Sequence, residues 1–185
     1  MKKLMIGCCI FCFAAVQVSA QIPTFTKGDN LVSASLGFGG YYSGSYYSGV
    51  TRIPFISLYY ENCVKDNLFD EKSSLGIGGI LGHTSVKASN SFKTSVTLIG
   101  VRGALHYSFV DKLDTYAGLM LGYEIVSWKW LDKNSSDLGL KGNAASDLGF
   151  SLFLGARYYF TDTFGVFAEV GYGAAVINLG VSLKF

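Results

Sequence analysis

Two groupings of side chains in this 185-residue chain could do chemistry. His83 and Ser85 stand two residues apart, a spacing that on a strand puts a base and a nucleophile on one face. No acid lies close in sequence to orient the histidine, and a histidine in a polar rim accounts for it equally well, so we assign no catalytic residue. Gly76 and Gly78 begin a dinucleotide-type fingerprint, but Leu81 stands where its third glycine belongs, and no Lys-Ser/Thr pair follows a glycine loop. No phosphate cradle and no cofactor are implied. No His/Cys set has metal-ligand spacing. The second grouping is a set of charges spread over the chain: Glu61, Arg102, His106, Glu124, Arg157, Glu169 and Lys184. What they could do depends on the elements that carry them.

The clearest element is 177–185. Ile177, Leu179, Val181, Leu183 and Phe185 alternate with Asn178, Gly180, Ser182 and Lys184, which is the two-residue period of a strand with unlike faces. The same period predicts strands over 31–42, 53–64, 75–83, 96–109, 115–128, 148–160 and 164–173, and no amphipathic helix. Val32, Ala34, Leu36 and Phe38 oppose Ser33, Ser35, Gly37 and Gly39. Thr97, Ile99, Val101, Leu105 and Tyr107 oppose Leu98, Gly100, Arg102, Ala104 and His106. Pro54 interrupts the second strand near its start, and Gly76, Gly78, Gly79 and Gly82 suggest a bulge in the third. Eight strands joined in chain order form an antiparallel up-and-down meander, and an even number lets it close into a barrel.

Met1 to Ala20 reads as a cleaved secretory signal peptide: two lysines, an apolar run from Leu4 to Val16, then small residues before Gln21. The domain expected to fold is 21–185, beginning with a polar leader over 21–30. Losing Lys2 and Lys3 takes the fifteen basic residues of the chain to thirteen, equal to its thirteen acids. The basic excess belongs to the leader, and no nucleic-acid partner is implied. Cys8, Cys9 and Cys12 leave with it, so Cys63 has no intrachain partner.

Alternation alone does not say which face is inside. The polar face is mostly Gly, Ser and Ala, a poor solubilising coat but suited to a crowded lumen, while the other face is continuous and bulky. Turning Arg102 or Arg157 toward lipid would cost roughly 2–4 kcal/mol each. The apolar face therefore points out, as in a transmembrane barrel, and Glu61, Arg102, His106, Glu124, Arg157, Glu169 and Lys184 point in. Eight strands leave an interior only wide enough for side chains to fill, so these charges must pair. The structural reading is an ionic plug, with Lys184 beside an acid such as Glu169; the functional reading is a gate or proton path. Tyr107, Phe109, Tyr158, Phe160, Phe164 and Phe185 near the short turns, and Tyr41, Tyr42, Trp128 and Trp130 near the long loops, fit two interfacial girdles. Tyr46 and Tyr47 lie beyond the rim, where a loop ligand could meet them.

Gly-Ile-Gly-Gly at 76–79, Gly-Leu-Met-Leu-Gly-Tyr at 118–123, Gly-Ala-Arg-Tyr-Tyr-Phe at 155–160 and Phe-Ala-Glu-Val-Gly-Tyr-Gly at 167–173 resemble the small eight-stranded outer-membrane β-barrel proteins of Gram-negative bacteria. So does the last stretch, whose Asn178, Gly180, Leu183 and Phe185 resemble the assembly signal read by the barrel-insertion machinery. The resemblance covers nearly all of 21–185. It implies an outer-membrane location, both termini in the periplasm, and loops around 43–52, 84–93 and 129–146 outside the cell. The turn at 65–72 is long for its side, and the connection at 174–176 is nearly absent, which predicts a low rim there. The expected function is non-enzymatic: a structural barrel, or one that presents its loops to an extracellular ligand, with outer-membrane lipids and the assembly machinery as partners. A narrow passage for small or apolar solutes, and a rim hydrolase of lipids or peptides, are the alternatives.

Overall fold

The structure, a computed structural model, describes residues 24–40, 50–88, 92–130 and 144–185. The signal peptide and Tyr41, Tyr42, Tyr46 and Tyr47 lie outside the described residues. Eight strands follow in chain order: β1 (Asn30–Phe38), β2 (Val50–Asp66), β3 (Ser73–Ala88), β4 (Phe92–Val110), β5 (Leu113–Trp130), β6 (Ala144–Tyr159), β7 (Phe164–Tyr172) and β8 (Ile177–Lys184). Each pairs antiparallel with the next, and β1 pairs with β8 from Leu31 opposite Lys184 to Phe38 opposite Ile177, which closes the barrel. Closure leaves no free edge over these residues.

The faces follow the alternation. Leu36, Leu58, Leu81, Val101, Leu121, Leu154, Val170 and Leu183 are exposed on the outside, while Ser33, Ser57, Arg102, Glu169 and Ser182 are buried inside. The barrel is thus apolar outward and carries its charges inward, the reverse of a water-soluble barrel.

Strand lengths depart from the sequence expectation. β3 runs on to Ala88 and β6 begins at Ala144, because Thr84-Ser85-Val86-Lys87-Ala88 and Ala144-Ala145-Ser146-Asp147 set small or polar residues on both faces and carry no hydrophobic alternation. β1 stops at Phe38, four residues short, because Gly39 and Gly40 turn away with φ of 72° and 94°. A Cβ on Gly40 would also strike the carbonyl of Ala174. The bulges lie on β2 rather than among the β3 glycines: the register with β3 shifts between Ile53 and Ile56 and again between Cys63 and Lys65. Pro54 sits in the first of these, where the ladder asks no donor of it.

The barrel has a high side and a low side. β2 to β6 have 16 to 19 residues, whereas β7, β8 and β1 have 9, 8 and 9. Pairing of β6 with β7 ends at Leu152 opposite Tyr172, so 144–151 rise past their neighbour by about 25 Å measured along the strand. Over the low side, the short β7–β8 connection is held by the Gly171 amide donating to the Val176 carbonyl and the Val176 amide donating to that of Phe38, both 2.9 Å. It buries Ala174 and Ala175 across the mouth. We call this the loop end; the turns at 67–72, 111–112 and 160–163 and the free ends of β1 and β8 define the turn end.

Candidate functional site: a charged layer inside the barrel

Six charged side chains from four strands of the high side and one of the low side meet in the turn-end half of the lumen. Inward positions on adjacent strands sit about 5 Å apart, so long side chains of opposite sign reach one another across a narrow interior. His106 Nε2 lies 2.6 Å from Glu61 Oε1, and its Nδ1 lies 3.0 Å from both oxygens of Asp114. Ionised carboxylates only accept, so the ring donates from both nitrogens and carries a positive charge. Arg157 donates through Nη1 to Asp114 Oδ2 at 2.9 Å and through Nε to Ser182 Oγ at 3.0 Å. Arg102 donates through Nη2 to Glu169 Oε1 at 2.8 Å, with its Nε 3.7 Å from Glu61 Oε2. The Tyr116 hydroxyl donates to the same Glu169 oxygen at 3.0 Å. Glu61, Asp114 and Glu169 thus face Arg102, His106 and Arg157, three against three, and all six are at most 3% exposed. Gly76 makes room for this layer, since a Cβ there would collide with the Glu61 carboxylate.

Toward the loop end an aromatic layer covers the charges. The Arg102 guanidinium is sandwiched between the rings of Tyr59 and Phe153, at 4.4 and 4.3 Å from their centroids. Phe55, Ile80, Leu98, Met120 and Phe167 complete the layer under Ala174 and Ala175. The void between Arg102, Met120, Phe153 and Asn178 is about 30 Å³, the room of a single water. Toward the turn end the chain before β1 folds under the barrel as a strap. Its Phe25 packs on His106 with ring centroids 4.6 Å apart. Thr24 shares a 2.7 Å hydroxyl bond with Ser108 and accepts the Lys184 ammonium on its carbonyl at 2.8 Å.

The expected residues are therefore distributed as follows. Glu61, Arg102, His106, Arg157 and Glu169 come together. Lys184 does not join Glu169: it points to the turn end and lies 3.8 Å from Asp29 Oδ2, because Glu169 is in register with Asn178, far along β8 from Lys184. Glu124 is buried at a different level, in register with Leu98 and Asp147 and against Gly149. Asp114 belongs to the layer, one residue before the strand expected over 115–128; its parity with Tyr116, Gly118 and Met120 is the signal that marks it. Phe25 falls in the segment expected to be a polar leader, and nothing periodic marks it. Asn178 is inward, half-buried beside Ala175; Gly180 lies under the Phe167 ring; Leu183 faces out; and the Phe185 backbone exchanges two bonds with Asn30, at 2.8 and 3.0 Å.

His83 and Ser85 share no environment. His83 is exposed and bonded through Nδ1 to Thr97 Oγ1 at 3.0 Å, while Ser85 is buried. Among the described residues no group of three His, Cys, Asp or Glu is arranged to hold a metal. The aromatics of the turn end form contacts on the outer surface, Tyr107 with Phe109 at 4.7 Å and Phe160 with Tyr158 and Phe164 at 5.3 and 6.3 Å. There Tyr107 donates to Asp70 at 2.8 Å, which holds that exposed carboxyl below its ordinary value of 3.8.

No protein-family model matches the chain, and no curated protein matches it in sequence. Among solved structures it is similar to the attachment invasion locus protein Ail of Yersinia pestis, with 13% identity, a TM-score of 0.53, and coverage of 86% of this chain and 100% of Ail. It is also similar to the N-terminal β-barrel domain of Pseudomonas aeruginosa OprF, with 14% identity, a TM-score of 0.52, and coverage of 86% and 98%. The outer-membrane protein OprG of the same organism gives 12% identity, a TM-score of 0.53, and coverage of 88% and 99%. The fold of this chain is that of the small eight-stranded outer-membrane β-barrels.

Proposed function

We propose that the chain is a non-enzymatic integral outer-membrane barrel, closed in the turn-end half of its lumen by the charged layer, that presents its high side and long loops for interaction at the cell surface. The single observation that carries this reading is the inside-out distribution of polarity: six buried charges neutralise one another inside while the bulky apolar side chains lie outside. Such a surface is stable against lipid and poorly suited to water. The turn end then faces the periplasm and the loop end the exterior. The signal peptide supplies export, and β8, with Asn178, Gly180, Leu183 and Phe185, supplies the strand offered to the assembly machinery. A surface-interaction role accords with the name of Ail, an attachment protein, which has also been solved with a heparin analogue. A solute passage would need a continuous water route past Arg102, where the void is about 30 Å³. Planar-bilayer recording tests the closure. The unmodified protein is expected to give no steady open conductance; a steady open level in it would overturn the plug.

A further inference from the structure

The register of the high side brings together three residues that the sequence separates widely. Lys87 on β3 is directly opposite Lys93 on β4, and Lys93 is directly opposite Lys129 on β5. Their parity is that of His83, Thr97 and Ile125, the outward face. Lys87 and Lys129 are exposed and Lys93 is half-exposed. Neighbouring strands are about 4.8 Å apart, so three positive charges originate within about 10 Å, one screening length at physiological salt. Like charges directly opposite in a sheet repel, and such a row is relieved by an anion laid across it. Among the described residues none of the three lysines makes an ion pair. The described acids nearest this level, Glu124 and Asp147, share a row with Leu98 on the inward parity.

Height on the wall identifies the anion. On β4 the outward positions run Phe109, Tyr107, Leu105, Val101 and Ile99, then change to Thr97, Ser95 and Lys93. Ser95 is in register with Ser127 and with the buried Ser85, so a serine row separates the lysine row from the apolar belt. Lys93 lies four residues beyond Thr97, about 13 Å along the strand and about 10 Å in height once the barrel tilt is allowed for. That is the depth of the headgroup layer just outside the hydrocarbon.

We propose that Lys87, Lys93 and Lys129 form a binding face for the phosphate groups of anionic lipid headgroups, holding a ring of such lipids against the high side. The proposal rests on the membrane reading above. The test uses the full mature chain in mixed micelles of phosphatidylglycerol and phosphatidylcholine, with bound lipids counted by native mass spectrometry. The unmodified protein is expected to retain phosphatidylglycerol about 100-fold over phosphatidylcholine, the attraction three lysines exert near an anionic surface. A Lys87→Gln/Lys93→Gln/Lys129→Gln variant should lose that preference, while Lys65→Gln/Lys72→Gln at the turn end should keep it. Equal retention by the triple variant and the unmodified protein overturns the proposal. So does a preference for soluble sucrose octasulfate that depends on the three lysines while the lipid preference does not. Failure of the unmodified chain to retain either lipid would instead count against the membrane reading.

Discussion

The high and low sides obey one alternation but spend their inward positions differently. The high side sends in Glu61, Arg102, His106, Asp114, Tyr116, Met120, Phe153 and Arg157, long or bulky side chains that reach to the barrel axis. The low side offers mainly Ser33, Ser35, Gly37, Gly165, Gly180 and Ser182, with Leu31, Phe167, Glu169 and Asn178 as larger inward groups besides Lys184 at the end. Ser33 and Ser182 satisfy each other at 2.8 Å, and Ser35 satisfies Ser57 at 2.7 Å. Arg157 then lies across to Ser182, and Arg102 across to Glu169. Large groups from one wall meet small groups from the other, and this is how eight strands fill a lumen without a void larger than a water or so at its charged centre.

Breaking the high side should cost most. Arg157→Ala leaves the Asp114 carboxylate, which is 0% exposed, with His106 as its one remaining cation and the layer with three acids against two bases, and removal of one partner from a buried pair costs about 3–5 kcal/mol. Urea unfolding in lipid, followed by heat-modifiable gel mobility, reads this directly; a cost below 1 kcal/mol would mean that water or a neighbouring side chain rescues Asp114. On the low side the sensitive change is enlargement. Gly180→Val would drive a Cβ into the Ala34 carbonyl and to 2.6 Å from the Phe167 ring, and overpacking of this kind costs about 1–3 kcal/mol. The same assay with no loss would show that the low side yields, and the contrast between the walls would fail. The smallest effect belongs to the β2–β3 turn. Asp70 has a lowered pKa, so its bond to Tyr107 contributes fully above 3.8 and is lost as pH falls through the lower folded value. Tyr107→Phe should flatten this acid-side dependence, and an unchanged profile between pH 5 and 2 would show that the bond is idle.

The sequence read well where side chains differ sharply between faces. The eight strands, their order, and the inward parity of Glu61, Arg102, His106, Arg157 and Glu169 all follow from a period of two. It read poorly where the two faces differ little: 84–88 of β3 and 144–147 of β6 are small or polar on both faces, so nothing distinguishes a strand from a loop. Asp114 was missed because a residue next to a turn has only one neighbour to fix its parity. Phe25 was missed because a strap has no period. The partner of Lys184 and the lysine row depend on register between strands, which is a property of pairing and absent from any one segment.

The clasp at the turn end has a consequence for how the chain is made. Ser33 and Ser182 are 149 residues apart, and the Lys184 bond to Thr24 spans 160. Contacts of such separation carry the full entropy of closing the chain and form late. A ribosome-truncated or proteolytically shortened chain could build most of the sheet yet lack the last strand that seals it, leaving two edges open. The seam between β1 and β8 therefore records that β8 has been made: only a chain that includes β8 can close its wall and tie the strap to Lys184 at that end.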